Sequence, residues 1–100
     1  MQLGLVLMRD KNYEGAAAVY HEAIRRQPRS AEAYNNLGLV WLDAGDPARA
    51  KEALKQAVLL KPGYAVAHYN LALSWHQSGD DVEAQRELDR AYKLDPSLRK

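Results

Sequence analysis

Pro28, Pro62 and Pro96 follow one another at intervals of 34 residues, and the same interval relates much of the chain to itself. It carries Gln2-Leu3-Gly4-Leu5-Val6 onto Asn36-Leu37-Gly38-Leu39-Val40 and then onto Asn70-Leu71-Ala72-Leu73-Ser74. It also links Ala16, Ala50 and Ala84, and again Ala23, Ala57 and Ala91. A fixed period of this size predicts stacked supersecondary units, each too small to bury its apolar face alone. Such a chain offers a surface rather than an enclosed pocket, so its function is sought in what that surface holds.

Each copy divides into two helices. In residues 31–44, Tyr34, Leu37, Gly38 and Trp41 recur at three- and four-residue spacing and form one helical face. Ser30 is placed to cap the start and Gly45 to stop the end. A second helix begins with Asp46 as cap and Pro47 in its first turn, where a missing N–H is harmless. Ala50, Leu54 and Ala57 are its inward face, and Lys61-Pro62-Gly63 ends it. The third copy repeats the plan with His68, Leu71 and Trp75, a stop at Gly79, and Ala84, Leu88 and Ala91. Asp80 followed by Glu83 predicts a reciprocal capping box there. In the first copy Asn12 is the corresponding cap, ahead of Ala16, Tyr20 and Ala23. Small residues are expected where paired helices come closest, with Gly4, Gly38 and Ala72 facing Ala16, Ala50 and Ala84.

At 100 residues there is room for one structural unit, residues 1–100, with copies at about 1–30, 31–64 and 65–98. Formal net charge is +1, from 14 basic and 13 acidic residues, which leaves no field to steer the chain to nucleic acid. Arg25, Arg26 and Arg29 are the nearest approach to a basic patch, and they complement a helix C-terminus. The apolar run Leu3–Met8 is far too short to insert into a membrane. With no cysteine, disulfides and thiolate chemistry are excluded.

Catalytic and metal-binding candidates are lacking. His21, His68 and His76 show no metal-pair spacing, and His68 stands where the preceding copy has Tyr34, a packing position. Asp80-Asp81 suits a helix start, the serines have no triad partners, and no glycine-rich phosphate loop occurs. The expectation is no enzyme, no cofactor and no metal.

Leu37-Gly38-x-x-Trp41, Ala50-x-x-x-Leu54-x-x-Ala57 and Pro62, with their copies at ±34, resemble the tetratricopeptide repeat over nearly the whole chain. The departures are small: Leu54 and Leu88 stand where the family usually has an aromatic residue, and Ala72 replaces the glycine. The resemblance implies an all-α, right-handed superhelical solenoid of antiparallel helix pairs. It implies a protein-interaction module whose concave groove, made by the first helix of each pair, binds an extended peptide of a partner.

Within that groove the resemblance places Gln2, Leu5, Asn36, Leu39, Tyr69, Asn70, Leu73 and His76, together with Met8 and Leu42. Asn35, Arg9, Asp43 and Gln77 would border it. Gln2, Asn36 and Asn70 form one amide per copy, each able to donate to and accept from a peptide group. Repeats of this family in enzymes that transfer sugars to serine and threonine use a similar asparagine ladder. The chain could therefore also be the substrate-presenting arm of a larger protein glycosyltransferase. The plainer alternative is that a wet helix face tolerates asparagine. The subgroup that clamps acidic chaperone tails is matched only at Asn36, since Met1, Leu5, Val66 and Asn70 occupy its other places. The first copy lacks about four residues, and no further helix follows the last. Apolar ends at Leu3/Leu7 and Leu88/Leu94 thus make end-to-end self-association a third expectation.

Overall fold

The computed structural model describes residues 12–99. Five helices follow in order, α1 (Tyr13–Arg26), α2 (Ala31–Asp43), α3 (Pro47–Leu60), α4 (Ala65–Gln77) and α5 (Asp81–Leu94), before a short 3₁₀ turn, Pro96–Arg99. No strand occurs among the described residues. Each helix packs on the next, and α2 also touches α4, so α2 and α4 form an inner row flanked by α1, α3 and α5.

Local chemistry explains the boundaries. Asn12, Ser30 and Asp46 each accept a hydrogen bond from the backbone N–H three residues on, at 3.0, 3.2 and 3.2 Å. These bonds satisfy donors that a helix start leaves free. Gly45 (φ 75°) and Gly79 (φ 84°) adopt the left-handed conformation that follows α2 and α4. At each, two bonds close the helix: Gly45 and Asp46 N–H donate to Leu42 and Trp41 carbonyls, and Gly79 and Asp80 N–H to those of His76 and Trp75. The expected Asp80/Glu83 capping box is absent, and the Asp80 side chain makes no cap bond. Glu83 has no donor to reach back to, because the Asp80 N–H already donates to the Trp75 carbonyl at 2.9 Å.

Ala16, Ala17, Tyr20, Leu37, Val40, Trp41, Ala50, Ala53, Leu54 and Leu71 form one buried cluster spanning α1 to α4. Gly38 is required there by close approach. A Cβ built on it would lie 2.5 Å from Leu54 Cγ, so its nearest neighbour across the pair is Leu54 rather than the expected Ala50. Leu54 is wholly buried, held from the other side by the same cluster, and has nowhere to yield.

Candidate peptide-binding groove

The inner row presents its polar and apolar residues unequally. Of the residues expected in the groove, Gln2 and Leu5 lie outside the described residues, as do Met8 and Arg9. Asn36 and Leu39 are half-buried on α2, and Leu39 leans on the hydrophobic cluster. On α4, Leu73 is 38% exposed and Val66 40%. Tyr69, Leu73 and His76 share a cavity of about 370 Å³ whose far wall is Gln85, Leu88 and Tyr92 of α5. His76 lies in the open, its Nδ1 2.9 Å from an Asp81 carboxylate oxygen.

Asn70 departs from expectation. It was expected to face solvent in the same way as Asn36, but it is 5% exposed. Its Nδ2 donates to Oδ1 of Asn35, itself 4% exposed, at 2.9 Å. The reason is geometric. Residues 34 apart occupy equivalent places and point the same way, so they cannot face each other. A side chain aimed at the next copy meets one aimed back, which lies elsewhere around the helix, and a one-residue step turns by about 100°. Asn35–Asn70 is spaced by 35, as are the Gln77 Nε2 bond to the Leu42 carbonyl and the Arg49–Glu14 ion pair. The signal was present in the sequence as residue identities, but only at one past the repeat.

Tyr64, in the turn before α4, belongs to the same polar seam. Burial pushes its phenol above the usual range and the Glu32 carboxylate adds to this, while a hydrogen bond with Asn35 works the other way.

A second polar group had no forecast beyond a structural role for His68. His68 and Glu87 are each 8% exposed. His68 Nδ1 lies 2.7 Å from Glu87 Oε2, its Nε2 lies 2.8 Å from the Pro62 carbonyl, and Arg90 donates to Glu87 Oε1 at 3.0 Å. The set ties α4 to α5 and to the turn before α4. In the sequence it shows as two departures from the repeat: His68 for Tyr34 and Glu87 for Ala53.

The other side of the molecule differs. A cavity of about 720 Å³ between α1 and α3 is floored by Tyr34, Leu37 and Trp41 of α2. Arg49 spans it, stacked 4.6 Å above the Trp41 ring and bonded to Glu14 across the gap at 3.1 Å. Lys51 and Lys55 cover Trp75 in the same way, at 4.3 and 5.4 Å. Among the described residues, no group of three or more metal-ligating side chains converges.

An all-α ladder of helix pairs with a buried seam, small residues at the close approach and a partly apolar inner row defines a helical-repeat protein. Two models of the tetratricopeptide repeat match the sequence, over residues 1–50 and 41–97, and the chain belongs to that family. Members typically serve as non-enzymatic interaction modules. Solved structures agree on the fold. The second TPR domain of human RPAP3, in complex with the HSP70 peptide SGPTIEEVD, is similar with a TM-score of 0.85 at 22% identity, covering 93% of this chain and 78% of that one. The first TPR of Spaghetti (RPAP3), bound to the HSP90 peptide SRMEEVD, has a TM-score of 0.87 at 19% identity, covering 93% and 74%. MamA has a TM-score of 0.84 at 26% identity, covering 97% of this chain and 57% of that one. A search of curated protein sequences finds no significant match.

Proposed function

We propose that this chain is a non-catalytic interaction module that holds an extended segment of a partner protein along the inner row of helices. One observation carries this reading: α2 and α4 combine an accessible amide, Asn36, with the exposed side chains Val66 and Leu73. An extended peptide offers backbone donors and acceptors to such an amide and alternate side chains to such apolar positions. Two similar folds hold peptides, which supports the same mode of use here. In this proposal Asn36, Leu39, Tyr69, Leu73 and His76 contact the partner, and Gln2 and Leu5 extend the surface. Asn70 serves chiefly to orient Asn35. The three copies, 1–30, 31–64 and 65–98, act as one domain.

The test is a peptide selected from a random displayed library and added to the isotope-labelled chain. Chemical-shift changes should cluster on α2 and α4. Changes confined to the outer faces of α1 and α3 would reject the inner row as the site.

Self-association is a second reading, favoured by the apolar end of the helix ladder. Leu94 is 47% exposed, and Leu88, the equivalent of the wholly buried Leu54, is only partly covered. Light scattering over a concentration series should then show growing mass, and a constant monomer mass at high concentration excludes it.

A further inference from the structure

The cations of residues 12–99 are sorted by helix. The inner helices α2 and α4 contain no lysine or arginine. Their only carboxylates are Glu32 and Asp43, at opposite ends of α2, and both are exposed. Every lysine and arginine of residues 12–99 lies instead on α1, α3, α5 or the segments that follow them. There they are largely engaged: Arg25 and Arg26 converge on Glu22 and hold its carboxyl down to about 2, Arg49 bridges to Glu14, and Arg86 pairs with Glu83. Lys51 and Lys55 lie over Trp75. The inner row of α2 and α4 thus carries two carboxylates and no lysine or arginine, while the helices and turns around it are nearly balanced, with 11 basic and 10 acidic residues in the rest of residues 12–99.

The two carboxylates are also tied to that row. The Glu32 carboxylate adds to the upward push that burial gives the Tyr64 phenol. The Asp43 carboxylate, after burial, helps push the phenol of Tyr13 at the start of α1 above its usual range. Between them lie half-buried Asn36 and Leu39, with exposed Val66 and Leu73 on the neighbouring helix. Thirteen residues of α2 rise by about 20 Å, the length of roughly six extended residues. A segment lying along α2 would thus meet a carboxylate at each end and apolar side chains between.

We propose that the inner row of α2 and α4 selects extended peptides carrying lysine or arginine on either side of apolar residues, with Glu32 and Asp43 as the cation partners. The inference rests on the inner row being the binding surface, and adds the chemistry of what it takes. An acidic segment would meet two carboxylates there and no described cation.

The experiment selects random displayed twelve-residue peptides against the full chain and against an E32K/D43K variant. Enriched peptides are then titrated by fluorescence anisotropy against wild type, Glu32→Gln/Asp43→Asn and Leu73→Asp. Wild type should enrich lysine and arginine flanking apolar residues, and E32K/D43K should enrich aspartate and glutamate instead. The neutral double variant should bind the wild-type peptides roughly tenfold more weakly, as expected for two exposed ion pairs. Affinity should also fall as salt screens the contacts. Enriched peptides without a cation excess, lost with Leu73→Asp but indifferent to Glu32→Gln/Asp43→Asn, overturn the charge preference and leave the inner-row reading standing. Cation-rich peptides that ignore all three substitutions bind elsewhere, and overturn both. No enrichment on the folded chain also overturns both. Circular dichroism melts identify any variant that fails to fold, and the neutral pair then decides in place of E32K/D43K.

Discussion

The helix pair 31–60 and the pair 65–94 are copies in register, yet they settle the same positions by different chemistry. In the first, Tyr34 and Ala53 both line an open cavity, Gly38 lets Leu54 close in, and Ser30 and Asp46 cap both helices. In the second, His68 and Glu87 fill the Tyr34/Ala53 place with a buried polar pair, Ala72 replaces Gly38, and neither start has a side-chain cap. The backbone plan survives all of this. Helix length and turn position depend on residues that both copies share, such as Gly45 and Gly79. The exchanged residues lie where a side chain meets a neighbouring helix, and there several combinations fill the space.

The tryptophans give the largest test of this contrast. Trp41 is 7% exposed within the main cluster, whereas Trp75 is half-exposed beneath two lysines. Trp41→Ala should cost roughly 3–5 kcal/mol in denaturant melts, and Trp75→Ala measurably less. Equal costs would mean that the two copies are equally consolidated.

The polar pair comes next. Glu87→Ala removes the acceptor at His68 Nδ1 and should cost about 2–3 kcal/mol. Adding His68→Tyr transplants the arrangement of the first pair, and the double variant should regain most of that loss, because replacing both partners of a buried polar pair by well-packed groups leaves none unsatisfied. Purely additive losses in the double-mutant cycle would show that His68 and Glu87 do not act together.

The smallest difference separates two asparagines in identical register. Asn70→Ala leaves Asn35 Oδ1 without its donor and should cost about 1–2 kcal/mol. Asn36→Ala, on a half-buried side chain with no such bond among the described residues, should change stability by no more than about 0.5 kcal/mol. Matching losses would place both side chains in equivalent surroundings.

Much of the fold was legible in the chain itself. Pro47, Ser30, Asp46 and the two glycines mark helix ends by chemistry that operates within a few residues, so the elements emerge close to where they were expected. Asp80 misled because its N–H closes the preceding helix on the Trp75 carbonyl, which leaves Glu83 no donor there. The candidate site was less legible. Asn36 and Asn70 look alike in sequence, and only the neighbouring helix separates them, since α2 presents Asn35 to Asn70. The pairing of Glu87 with His68 was equally hidden, being visible only as two substitutions 19 residues apart.

By itself, then, the sequence determined the period, the helices and the family. These rest on local backbone preference and on apolar spacing repeated three times. The tertiary structure alone decided which side chain of each copy turns towards its neighbour. That choice depends on the rotation between successive helices, which brings each residue against the place one beyond its own copy. Hence Asn70 is sealed within the ladder while Asn36, its equal in sequence, stays accessible on the inner row.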